Sequence, residues 1–247
     1  MVYFFALFLT GCFSFLTLSC GLDVYYVMES PSTVSQCSYD ASWENRYAAF
    51  RTPVMPDTAF KFLGTDIYYK IYNTNSDSEV SSLYSDSQND EKKMNVASRM
   101  IETYKYQPLK VRGNNDSPLI PSHDHFQYIK IRLTNYYENL SEQGTAGIYV
   151  DYNNVNEVKN IGAPIRGIEE NGDYTFDFGR SSQSDYNRIP VKEDNDVKLS
   201  PYPTEEGKYY VALFAVAIGL DTTTYIKYYS NVAYLGTFCI DSKSADN

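Results

Sequence analysis

Several runs of the chain alternate apolar and polar residues with a period of two, the spacing of a half-buried strand. In 66–72, Ile67, Tyr69 and Ile71 fall on one face and Tyr68, Lys70 and Tyr72 on the other. In 126–133, Ile129, Ile131 and Leu133 oppose Tyr128, Lys130 and Arg132. Segments 147–152 and 174–178 repeat the pattern, the second with Tyr174, Phe176 and Phe178 against Thr175 and Asp177. The run from Tyr210 to Ile218 is apolar on both faces, which predicts a central strand, and a last strand is expected near 231–240. Helical spacing occurs once, over about 90–104, where Met94, Ala97, Ile101 and Tyr104 recur and Asn89 or Asp90 can cap the start. The polar stretch 73–90, the Gly- and Pro-containing 111–121 and the long segment 179–207 read as loops.

The pattern predicts an all-β protein. The order of its parts resembles an immunoglobulin or fibronectin type III β-sandwich, in which 66–72 would be the C strand and the two closing runs the last pair. About 130 residues separate those runs, more than one sandwich of roughly 100 residues needs. The expectation is therefore one β assembly with a large central insertion or second β-unit and one short helix, with a split near 110–125 as the alternative. Composition agrees: 25 Tyr and 13 Phe against one Trp favour pleated, half-buried surfaces.

The amino terminus changes the picture of location. Residues 2–19 carry no charged side chain and end in Thr17-Leu18-Ser19-Cys20, a small residue directly before a cysteine, as in a bacterial lipobox. The length suits a signal peptide or one membrane span. A stop-transfer helix is normally flanked by basic residues, and the first here is Arg46. Leu9-Thr10-Gly11-Cys12 is a second lipobox-like site, but cleavage there would leave an apolar mature terminus. The reading is an export segment at 1–19, a lipid attachment at Cys20 and a β-rich domain over 20–247.

The stretch from Ser19 to Pro31, the segment from Phe62 to Tyr72 and the closing stretch from Tyr209 to Ile240 resemble lipoproteins of spirochaetes, particularly treponemes. This resemblance covers about a third of the chain and implies an envelope location and architecture. It carries no catalytic motif and no active-site residues.

With Cys12 removed and Cys20 acylated, Cys37 and Cys239 remain, an even pair in an exported chain. A disulfide joining the first strands to the last is expected, the alternative being two separate buried thiols.

The formal charge of −10 argues against a nucleic-acid partner, which needs a basic field. No P-loop, G-x-G-x-x-G or G-x-S-x-G motif is present, so no cofactor and no catalytic residue is assigned. Both histidines lie in Ser122-His123-Asp124-His125, with no third to complete a transition-metal site, and the segment reads as a polar loop. The run Lys192-Glu193-Asp194-Asn195-Asp196 lacks the ligand spacing of a calcium loop and reads as solvated. What remains is tyrosine, a residue of contact surfaces: by parity, Tyr68 and Tyr72 are the candidate contact residues. Two functions stay open: a non-catalytic structural module or binder of protein or glycan, and an envelope glycan hydrolase using paired carboxylates.

Overall fold

The computed structural model describes residues 28–55, 60–114, 117–135, 145–151, 158–168, 174–179 and 188–242. Cys12 and Cys20 lie outside them. Among the described residues strand accounts for 41% and helix for 13%, so the described structure is mostly β. In chain order the strands are β1 (Ser32–Ser35), β2 (Ala48–Arg51), β3 (Phe60–Tyr72), β4 (Gln107–Pro108), β5 (Lys110–Val111), β6 (Ile120–Pro121) and β7 (Tyr128–Arg132). They continue with β8 (Gly147–Asp151), β9 (Val158–Asn160), β10 (Pro164–Ile165), β11 (Val197–Lys198), β12 (Lys208–Asp221), β13 (Lys227–Tyr229) and β14 (Ala233–Asp241).

One antiparallel sheet runs β1-β2-β7-β8-β9. The other is built on β12, which pairs with β3 along one side and with β14 and then β13 along the other. The sheets face each other across a core that takes Phe50, Ile129, Ile131, Ile148 and Val150 from the first and Ile67, Tyr69, Ile71, Val211, Leu213 and Ile240 from the second. The expected runs at 66–72, 126–133, 147–152, 210–218 and 231–240 all carry strands. Segment 174–178 makes only an isolated bridge, Thr175 to Ile165, while Phe176 and Phe178 still fill the core.

The parity of β3 is as expected, yet Tyr68 and Tyr72 are only 7% and 2% exposed, so the expected contact face is corrected: it is interior. A helical layer covers it, comprising α1 (Ser78–Ser87) and a composite stretch of 3-10, α and π turns over 93–103. Tyr68, Tyr72, Phe214 and Val216 pack there against Leu83, Val96, Ala97 and Met100. This second core is why β12 is apolar on both faces. Helix α1 falls inside 73–90, expected as a loop; Asp77 caps it by accepting a hydrogen bond from the Glu79 N–H at 2.8 Å.

The tetrapeptides Phe62-Leu63-Gly64-Thr65 and Tyr234-Leu235-Gly236-Thr237 occupy equivalent places on the two strands flanking β12. In each the pairing register shifts so that the leucine is the extra residue of a bulge, and in each the glycine has positive φ, +146° and +103°. A crossing segment settles on each: Pro121 of β6 opposite Gly64, and Cys37 opposite Gly236. The Cys37 N–H donates to Leu235 O and the Thr237 N–H to Cys37 O, both at 3.0 Å.

The outer side of β3 is occupied in turn by β6 at Gly64–Thr65, β4 at Tyr68–Tyr69 and β11, in parallel, at Ile71–Tyr72. Within the stretch 110–125, weighed as a boundary, Lys110–Val111 pairs with β10 and Ile120–Pro121 with β3. Cys37 and Cys239 are free, buried thiols rather than the expected disulfide. Cys37 projects into the core between the sheets and Cys239 into the core under the helices, on opposite faces of β14.

Candidate functional site

Where the chain after β1 crosses Gly236, it forms one wall of a groove of about 410 Å³. The opposite wall is the turn before α1, with Thr74, Asn75 and Ser76, and the first turn of the helix, with Val80 and Ser81. The floor is the end of the β12 sheet, from which Tyr72, Tyr210 and Tyr234 contribute. Tyr39 stands at the rim, 45% exposed, its ring edge-on to Tyr210 at 6.3 Å between centroids.

The walls are held by short polar contacts. Asn75 N–H donates to Thr204 Oγ1 at 3.0 Å, and the Tyr234 and Thr237 hydroxyls share a hydrogen bond of 2.7 Å. The lining holds no Lys, Arg or His and a single carboxylate, Asp77, already engaged by Lys198 Nζ at 3.0 Å. Hydroxyls, the amides of Gln36 and Asn75 and tyrosine rings hydrogen-bond and stack on a neutral polar ligand; they do not supply the two carboxyl groups of a glycosidase. Of the two tyrosines singled out by parity, Tyr72 reaches the groove from beneath and Tyr68 does not line it.

Two charge networks, one half-buried and one fully buried, hold the surrounding elements. Under α1, Glu79 bridges Lys70 at 3.3 Å and Lys198 at 3.0 Å and accepts from Tyr72 OH at 3.1 Å, while Tyr72 and Tyr106 share a hydroxyl contact of 2.8 Å. On the inner face of β3 lies Arg166, its side chain fully buried. It donates from Nε and Nη2 to the two oxygens of Asp196, at 2.9 and 2.6 Å, and from Nη2 to Asp194 at 2.6 Å. Arg188 also pairs with Asp194, and Tyr69 OH donates to Asp196 at 2.6 Å. The run 192–196, expected to be solvated, is thus corrected at its two aspartates: both are buried against arginines.

The other sequence candidates fall elsewhere. His123 and His125 are exposed in the loop before β7, and among the described residues no three His, Cys, Asp or Glu side chains converge as a metal site requires. Burial pushes the Cys37 thiol up to about 12 and raises Cys239 too, which keeps both protonated and poor nucleophiles.

Asp66 is a further buried carboxyl. It accepts from the Leu119 N–H at 2.6 Å, but burial outweighs that bond and lifts its pKa above the usual carboxylate range. A carboxyl raised on folding contributes stability that is fully present below its unfolded pKa, about 3.9, and is lost as pH rises through the folded value. Asp66→Asn, which keeps an acceptor for Leu119 and cannot ionise, is expected to unfold at higher urea than the parent at neutral pH and at about the same urea near pH 3.5. A variant weaker than the parent at neutral pH would contradict this.

No protein family, curated protein or solved structure matches the chain. No helix among the described residues is long and apolar enough to cross a membrane.

Proposed function

We propose that the protein is a bacterial envelope lipoprotein of the spirochaete type, acylated at Cys20, whose domain is a non-catalytic binding module with its site in the groove beside Tyr39. The observation that carries the binding reading is the groove's lining: hydroxyls and tyrosine rings with one carboxylate, itself paired to Lys198. This chemistry favours an uncharged stretch of glycan, which stacks a sugar face on an exposed ring and hydrogen-bonds to Ser, Thr and Asn. The lipobox-like ending at Cys20 supports the location, and two acyl chains are what stable anchoring requires.

The arrangement of strands supports an immunoglobulin or fibronectin III-like ancestry for the core. Neighbours β3-β12-β14 correspond to strands C, F and G of such a sandwich, and β1-β2-β7 to A, B and E. On this reading the helical layer and β8 to β11 are insertions.

The test uses full-length chain purified from bacterial membranes. Fragments of envelope glycan are expected to bind with Kd in the roughly micromolar to millimolar range of shallow sites, and Tyr39→Ala to weaken binding about tenfold, the loss of one stacking ring. Mass spectrometry of the incubated glycan should show no cleavage. Hydrolysis that Asp77→Asn abolishes would overturn the non-catalytic reading, and binding of envelope proteins but no glycan would redirect the groove to a protein partner.

A further inference from the structure

We propose that the turn between β12 and β13, residues 222–226, is a second membrane contact that seats Tyr225 and Ile226 in the interfacial layer of the bilayer holding the lipid on Cys20. The inference rests on the anchored reading above and adds an orientation to it.

The turn presents apolar surface to solvent: Tyr225 is 75% and Ile226 55% exposed, and Tyr228 beside them leans on Phe60 at 5.8 Å between ring centroids. Its backbone is preformed. The Asp221 carboxylate accepts from the Thr223 and Thr224 N–H groups at 2.6 and 3.0 Å. Tyr225 N–H donates to Asp221 O at 2.9 Å, and Asp221 N–H to Ile226 O at 3.0 Å. Tyr225 is held at φ +57°, a conformation uncommon for a bulky side chain. A rigid turn offering tyrosine and isoleucine loses little freedom when it enters an interface, and tyrosine is enriched at the headgroup level.

Charge points the same way. Between Asp221 and Asp241 the only ionisable side chain of Asp, Glu, Lys, Arg or His type is Lys227, in a chain of net charge −10. Lys227 and Lys61 stand across one row of the sheet, each paired to Leu220, where long cationic side chains can reach phosphate groups.

The tether is at the same end. Met28, the first described residue, packs with Phe60, Phe62 and Ala217, and its methyl lies 3.0 Å from where a Cβ on Gly219 would stand. Gly219 is two residues from Asp221, about 7 Å along the strand. Cys20 precedes Met28 by eight residues, a reach of at most about 28 Å. The groove is at the other end: its Tyr210 is eleven residues from Asp221 along β12, about 36 Å. With the turn in the interface, the groove faces away from the membrane.

The test places a tryptophan reporter in the full chain, as Tyr225→Trp or Ile226→Trp, and compares it with Tyr202→Trp beside the groove, an 83% exposed position. Each is reconstituted in vesicles of phosphatidylcholine with a minor share of phosphatidylglycerol, brominated high on the acyl chain, and the signal of the parent chain is subtracted. Intact mass is measured on the same samples. Acyl mass on Cys20 with quenching at the turn at least about twofold stronger than at Tyr202 is the expected result. Acyl mass with equal quenching at both positions overturns the turn's role and leaves the anchor standing. Without acyl mass the anchored reading fails; the turn's role then survives only if its reporters are still quenched on mixing with vesicles, and falls with the anchor if they are not.

Discussion

Replacing Arg166 by methionine is expected to cost the fold about 3–5 kcal/mol, the usual consequence of removing one partner from a buried ion pair. The side chain is fully buried and grips both oxygens of Asp196. Without it the Asp196 carboxylate, itself 0% exposed, keeps only the Tyr69 hydroxyl. The damage should spread, because Asp196 O accepts the Ile71 N–H at 2.9 Å and β11 follows directly. Urea unfolding of the parent and of Arg166→Met measures the loss. Arg166→Met combined with Asp196→Leu should recover part of it, since two apolar residues leave no charge stranded. A single-variant loss below about 1 kcal/mol would mean that solvent reaches these aspartates.

The second large effect is expected at Gly236. A Cβ there would stand 2.1 Å from the carbonyl oxygen of Cys37 and 2.5 Å from its nitrogen, and the backbone is in a region that L side chains rarely adopt. Both neighbours are backbone, fixed by two hydrogen bonds across the crossing. Gly236→Ala should therefore lose about 3 kcal/mol or more, strain and overpacking combined, in the same unfolding assay. Gly113→Ala is the control: φ is also positive, but no atom lies within 4 Å of the added carbon, so only the conformational cost of about 1–2 kcal/mol applies. Equal losses at the two positions would show that the crossing yields easily.

The central sheet was legible because its strands carry the signals that pairing requires. Alternation in 66–72 and a doubly apolar run at 210–218 are what a strand beside the centre and a central strand need. Parity located Tyr68 and Tyr72 on the correct face but could not say whether another layer covers that face. The covering helix was hidden by its composition: in Ser78–Ser87 the only large apolar residues are Val80, Leu83 and Tyr84. It is held instead by the Glu79 ion pairs and by Asn231 Nδ2 donating to Ser87 O at 2.8 Å. The cue that was present is Asp77, an N-cap directly before a Ser-Glu start.

The aspartates of 192–196 were misread for a different reason. Their partner, Arg166, lies about thirty residues upstream, and no local spacing connects them. The groove is non-local too, since its lining comes from the crossing segment, the start of α1 and three strands. By contrast, the Leu-Gly-Thr shared by the two flanking strands stands in the sequence, but three residues gain meaning only from the crossing backbone that each glycine receives.

The patchwork along β3 bears on how copies of this protein tolerate crowding. A strand at a sheet's margin offers a row of unmet N–H and C=O groups on which a neighbouring molecule can continue the ladder, and this is a common route to aggregation. Here that row is divided among β6, β4 and β11, no one of them longer than two residues. Two of the three contain a proline, Pro121 and Pro108, with no N–H to offer further outward. Among the described residues an incoming strand finds no continuous template on that side, so their longest pairing, β3 with β12, can be kept without inviting a second copy to extend it.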